Sequence, residues 1–383
     1  MSQALSGLKV LDLTMNLPGP YMTWLLALLG AEVVKVENPS GGDYSRALLG
    51  DGQSSPFFAA VNRNKKSVGL NLKHPEGKRL FLKLLNHYDV LVEGFRPETM
   101  ERLDLGFDVL SAINPRLIYV SISGYGQSGP NKMRAGHDLN YLALAGIIGM
   151  TGSRNGELAM PGVQIADLAG GSLMGLTGLL AAIIQRDRTG KGQFVDVSMY
   201  DGAFSMATMV FAGVEAGMEF PEPGKMMLNG RFPCYGLYKT SDGRYMSLGA
   251  LESKFWKNFC MAVGREDLLD GQFGGPEVVT ELARLFASKT QDEWTESMVT
   301  ADACCEPVLN LNEAADSPLT QARFMVNRDP EGKRSLGFPL KLSESEPPTD
   351  EPAPSLGQHT REILAGLGIT EKELQSLSYD GVI

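Results

Sequence analysis

Cysteine is scarce in this chain: four among 383 residues, at positions 234, 260, 304 and 305. No pair has CxxC spacing, and the adjacent Cys304 and Cys305 do not make a metal site alone. Neither a disulfide framework nor a bound metal is expected, and reduced thiols suit a cytoplasmic protein. Positive charge is also short. Lys and Arg total 35 against 45 Asp and Glu, a formal net charge of -10. A nucleic-acid binder is normally basic or carries a basic stripe, so nucleic acid is not an expected partner. An acidic protein that holds an anion must gather its positive charge locally, which draws attention to clustered Lys and Arg. Long hydrophobic runs are missing too. The most apolar stretch, about residues 173–184, is broken by Gly175 and Gly178. It reads as a buried core helix too short for a bilayer, so no membrane partner is expected. No secretory signal precedes the strand-like run after Lys9, and the terminal Asp380-Gly381-Val382-Ile383 is not a peroxisomal address. There is no internal repeat and no heptad run.

What is present is an ordinary globular composition, 43% hydrophobic and 21% charged. The length exceeds what one hydrophobic core usually serves, so two domains are expected. Residues 9–13, 32–36, 89–93 and 117–122 are short β-type runs, with helical patterns at 22–29, 76–86 and 97–102 between them. A further strand starts at Phe194, after a long helix from Asp167 to Arg186. Strands alternating with helices predict a parallel sheet in an α/β domain. Near residue 217 the composition changes. Gly217 to Gly224 is rich in Pro and Gly and reads as a linker. A β-hairpin follows at 235–240 and 245–248, then helices at 254–263 and 277–288, which predicts a smaller α+β domain over about 225–320. Pro347, Pro348, Pro352 and Pro354 mark a second linker before helical patterns at 359–366 and 371–376.

Short strings recur in order along nearly the whole chain. They are Gly7 to Leu13, Pro18-Gly19-Pro20, Gly30 to Glu37, Asn62 to Ser67, Glu93-Gly94-Phe95-Arg96-Pro97, Gly124 to Pro130, Gly136-His137-Asp138, and Asp167 before Gly170-Gly171. In order and spacing they resemble the class III CoA-transferase (CaiB/BaiF) family, closest to its α-methylacyl-CoA racemase branch. The resemblance implies a Rossmann-like large domain, 1–217, to which 321–383 returns after the small domain of 225–320. It also implies an interlocked homodimer of ring-like subunits, with the active site between the large domain of one and the small domain of the other. The expected ligand is an acyl-CoA thioester, with coenzyme A as part of the substrate and no separate cofactor.

Coenzyme A carries a 3′-phosphate and a diphosphate, so its site needs donors that pair with phosphate oxygens. Lys35 ends a strand, Lys65 and Lys66 lie in a loop before an apolar run, and Arg96 and Arg102 flank a short helix at Pro97. With Gly94 and Phe95 these are the expected CoA-binding positions. Leu70 resembles the residue that packs on adenine. Asn38 stands where some family members carry Arg, which leaves Lys35 to serve that phosphate.

Racemising the α-carbon of a thioester needs a base and an acid on opposite faces of one carbon, with an enolate between the two proton transfers. His137 and Asp167 match the family's acid/base pair. Histidine suits proton transfer at neutral pH, and a helix N-terminus should help Asp167 to ionise. The resemblance gives Glu252 the role of imidazole partner, from the other subunit, and places Asp138 and Tyr141 along the thioester pocket. The transferases use an aspartate at the Asp167 position as nucleophile, so that residue does not separate the branches. His137, the Glu252-Ser253-Lys254-Phe255-Trp256 string, and the lack of a glycine-rich loop at Lys225 to Arg231 point to the racemase. A class III CoA-transferase and a non-catalytic acyl-CoA binding protein are the alternatives.

Overall fold

In the computed structural model, residues 2–49, 55–219, 221–329 and 331–383 are described. Four apolar runs form strands where expected: β1 (Lys9–Leu13), β2 (Glu32–Glu37), β4 (Val90–Glu93) and β5 (Ile118–Ser123). Two more join them, β3 (Lys66–Gly69) and β6 (Gln193–Ser198). All six lie parallel in the order β3-β2-β1-β4-β5-β6. Near-continuous burial along β1, β2, β4 and β5 is what a parallel sheet covered on both faces requires. The order steps outward from β1 to β3, then reverses at β4. Right-handed crossovers therefore put the helices of the two halves on opposite faces. Such a reversal opens a crevice at the carboxyl ends of β1 and β4. The fold is a mixed α/β fold built on a large parallel sheet.

The sequence placed Lys66 in a loop; it is instead the first residue of β3. The long helix is also longer than expected. It runs from Ala166 to Thr189, 24 residues, and by length and composition alone it would suffice to cross a membrane. The twelve-residue reading of its apolar part is therefore corrected. Two of its four glycines set it on the sheet: a Cβ at Gly178 would lie 2.8 Å from Val195 Cγ1, and one at Gly175 3.4 Å from Ile122 Cδ1. Close approach, rather than helix propensity, explains why glycine stands there.

The chain divides into two units. The first comprises Met1–Ala145, Val163–Met206 and Phe324–Ile383; the second comprises Gly146–Gly162 and Ala207–Arg323. The boundary expected at 217 thus falls at residue 207, and residues 146–162 belong with the second unit. Phe220, within the expected linker of 217–224, lies outside the described residues. In the second unit β7 (Tyr235–Lys239), β8 (Tyr245–Gly249) and β9 (Cys305–Pro307) form an antiparallel sheet. Its core is aromatic. Tyr238 stacks on Phe286 at 4.9 Å, and the buried indoles of Trp256 and Trp294 donate to the carbonyls of Leu268 and Phe286 at 3.0 and 2.8 Å. The added segment is held there by the Arg154 guanidinium, 5.4 Å over the Tyr238 ring.

Candidate active site

The carboxyl ends of β5 and β6 carry the first cluster. Gly124 and Gly136 exist for one neighbour: a Cβ on either would lie 2.6 Å from Tyr141 Cε1. The Tyr141 ring fills that space, and its hydroxyl donates to the Gly136 carbonyl at 2.6 Å. Tyr125 meets it edge-on at 5.1 Å. Burial, with the Asp167 carboxylate nearby, pushes the Tyr141 phenol up to about 12, so it stays a neutral donor. Arg96 lies close enough for its charge to act on that phenol. This packing fixes the start of the helix Asp138–Leu144, with His137 exposed at its N-cap and the His137 amide donating to Asn140 Oδ1 at 3.0 Å.

Asp138 joins this helix to the next. Its Oδ1 accepts the backbone N–H of Asp167 at 3.0 Å. Burial, together with the Asp138 charge, pushes the Asp167 carboxyl up to about 7. The expectation that a helix N-terminus would ease its ionisation is corrected. Desolvation and a like charge outweigh the helix dipole here. Asp167 is poised to hold or release a proton near neutral pH, while Asp138 spends one oxygen on a backbone donor.

The second cluster lines a cleft of about 180 Å³ where β1 and β4 part. Leu13, Asn38, Leu70, Lys73, Phe95 and Thr99 face it. Leu70 is 1% exposed, belongs to the core under the sheet and forms part of the cleft wall. Glu93, at the end of β4, accepts the Phe95 N–H at 2.7 Å and so shapes the Gly94–Pro97 loop. Burial pushes its carboxyl up to about 7. Arg96 and Arg102 are exposed, and Arg102 donates to Thr99 Oγ1 at 2.9 Å, which holds it at the rim. Lys73 was not anticipated. It sits just past β3, the strand whose polar start hid it from a reading by apolar runs.

Three expected phosphate ligands are engaged elsewhere. Lys35 Nζ is buried, 3.0 Å from Asp43 and 2.6 Å from the Thr14 carbonyl oxygen. Lys65 Nζ is buried among Asp12 at 3.1 Å, the Pro20 carbonyl at 3.0 Å, Thr23 Oγ1 at 2.8 Å and Asn62 Oδ1 at 2.8 Å. An ammonium has three protons, so Lys65 has none to spare. Burial lowers its pKa to about 8 against the pull of Asp12. Lys66 pairs with Glu362 at 3.0 Å, on the helix Thr360–Gly366. Lys35 and Lys65 are spent on buried partners, Lys66 on a surface pair, and none of the three lines the cleft.

In the second unit Glu252 is the exposed N-cap of the helix Ser253–Ala262. Among the described residues its carboxylate caps nothing and has no hydrogen-bond partner, and its charge helps raise the Cys304 thiol pKa after the larger effect of burial. Among the described residues no group of three His, Cys, Asp or Glu could hold a metal ion.

The chain matches CoA-transferase family III over residues 5–360. It belongs to that family. Human α-methylacyl-CoA racemase is 35% identical over 385 residues, covering 99% of this chain and 97% of its own. The β subunit of succinyl-CoA–L-malate CoA-transferase from Chloroflexus aurantiacus is 33% identical, covering 99% of this chain and 98% of its own. A CaiB/BaiF family protein from Brucella suis superposes with a TM-score of 0.83 at 28% identity, covering 96% of this chain and all of the other. The family binds acyl-CoA substrates, and its members include racemases and transferases at similar distances from this chain.

Proposed function

We propose that this family III enzyme racemises the α-carbon of 2-methyl-branched acyl-CoA thioesters by two-base proton transfer. The supporting observation is the Asp167 carboxyl, poised near 7 by burial and Asp138. A nucleophilic aspartate works best fully ionised, whereas a two-way proton carrier works best near its pKa. In one direction the Asp167 carboxylate takes the α-proton, and an enolate forms. Protonated His137 then delivers a proton to the opposite face. The Asp167 acid and neutral His137 that remain are the state needed for the other enantiomer. Glu252 of the partner subunit would orient the imidazole.

The test is incubation of a chiral 2-methylacyl-CoA in heavy water with no added acid. The substrate should lose optical purity and gain one solvent deuterium, with Asp167 unmodified after hydroxylamine. Capture of an Asp167 adduct, or passage of labelled CoA into a free carboxylic acid, would replace racemisation with CoA transfer.

In the same reading the cleft at β1 and β4 receives the nucleotide end of CoA, with Lys73 and Arg102 at its rim meeting phosphate. Lys73→Ala and Arg102→Ala should each weaken CoA-ester binding about 5- to 150-fold, the equivalent of about 1–3 kcal/mol. Calorimetric titration checks this. Unchanged affinity in both variants would move the phosphates elsewhere.

A further inference from the structure

The Asp167 side chain has no hydrogen bond of its own among the described residues; the residue is anchored through its backbone, whose N–H donates to Asp138. Where the carboxyl points is therefore decided by how the backbone is wound. That winding is unusual. Residues Ala166–Leu173 form a π-helix before the chain continues as an α-helix from Met174 to Thr189. A π turn is wider than an α turn and rare, and it persists only where its surroundings hold it.

Two contacts hold it. Ser172, fully buried, places its hydroxyl 3.0 Å from the Asp167 carbonyl oxygen and 2.6 Å from that of Pro18. The residue thus ties the π turn to the start of the helix after β1. On the other side the turn meets the helix Met199–Ser205 backbone to backbone. A Cβ on Gly202 would lie 2.3 Å from the Gly170 carbonyl oxygen and 2.4 Å from its Cα, and a Cβ on Gly170 would lie 2.7 Å from the Met199 carbonyl oxygen. Neither glycine has a positive φ. Close approach, not backbone conformation, excludes a side chain at both.

We propose that Ser172 and Gly202 are positioning residues for Asp167. They clamp the π turn from two sides and so aim the carboxyl beside Asp138. Loss of either clamp lets the turn relax toward α winding, which rotates Asp167 about the helix axis. This role rests on Asp167 as the reacting group, and it serves a proton carrier and a nucleophile alike.

The experiment follows Asp167 directly and needs no turnover. Protein labelled with 13C at the aspartate carboxyl is titrated by NMR, and the resonance missing in Asp167→Asn is assigned to Asp167. Ser172→Ala and Gly202→Ala should each lower its midpoint by about one unit or more, because the carboxyl leaves its buried place near Asp138. Leu179→Ala is the control for general destabilisation: the side chain is buried in the same helix, about 18 Å further along. It should leave the midpoint within about 0.2 unit. If Gly202→Ala fails to fold, Ser172→Ala decides alone. A midpoint in Ser172→Ala equal to that of the wild type, or an equal shift in Leu179→Ala, would overturn the proposal. Capture of an Asp167 adduct would alter the reaction assigned above and leave this result standing.

Discussion

Asp167→Asn should cut activity by about 10²–10⁴-fold and yet make the protein more stable at pH 8. Its carboxyl titrates near 7 in the folded chain against an ordinary 3.8. Below the lower value both folded and unfolded states are protonated, and the group contributes nothing. Between the two, the unfolded chain releases its proton while the folded chain keeps it, so stability falls as pH rises. Above about 7 the penalty is constant. Asparagine has no such proton, so its gain should be near zero below about pH 3 and nearly complete by pH 8. The full shift, at 1.36 kcal/mol per unit, sets an upper bound. Partial exposure of Asp167 reduces this to about 1–2 kcal/mol. Urea unfolding at several pH values measures it. A gain that does not vary with pH, or an activity loss below about tenfold, would count against the ionisation assigned to Asp167.

The second large effect concerns Lys65. Lys65→Met removes the ammonium and strands Asp12, which is wholly buried. Breaking a buried pair from one side costs about 3–5 kcal/mol, a large fraction of a domain's stability. Asp12 keeps hydrogen bonds from Thr23 and the Thr14 amide, and Lys35 acts on it as well, which favours the lower half of that range. The folded fraction should bind CoA esters with near-normal affinity. A phosphate ligand would give the opposite pattern, with stability intact and affinity lost. Denaturation midpoints and ligand titration on the same preparation separate the two.

Lys65 also shows where sequence reasoning stops. Apolar runs such as Val33-Val34 and Val90-Leu91-Val92 declare their burial, and five of the six parallel strands were found that way. The strand β3 escaped because it opens Lys66-Ser67, and two polar residues among its four positions leave no apolar run to read. Asp12 and Lys65 are 53 positions apart, so nothing local distinguishes their pairing from two solvated charges. Lys35 and Asp43 are close in sequence, but Asp43 lies beyond the end of β2 and no strand or helix periodicity marks their pairing. The glycines around Tyr141 were legible as a motif, but their reason, room for one ring, required the packed structure. The π turn at Asp167 carries no local signal either. It arises from contacts with Pro18 and Gly202, which are distant in sequence. The small unit's hold on residues 146–162 likewise depends on Arg154 reaching Tyr238.

The edge of the large sheet has a bearing on how the protein is made. The Ser67 carbonyl of β3 accepts the His359 N–H at 2.9 Å, and Gly69 N–H donates to Thr360 Oγ1 at 2.9 Å. Just beyond the strand, Asn71 N–H donates to the Val382 carbonyl at 2.8 Å, and just before it Asn64 N–H donates to that of Glu351 at 3.1 Å. A strand laid down early in synthesis thus waits for partners that emerge nearly 300 residues later. Until then its outer edge is bare, and bare strand edges pair with neighbouring chains. At about 5–20 residues per second the wait lasts roughly 15–60 s on the ribosome. Nascent chains stalled before residue 350 should therefore be the form of this protein most dependent on chaperones, and ribosome profiling of chaperone-bound intermediates would find them there.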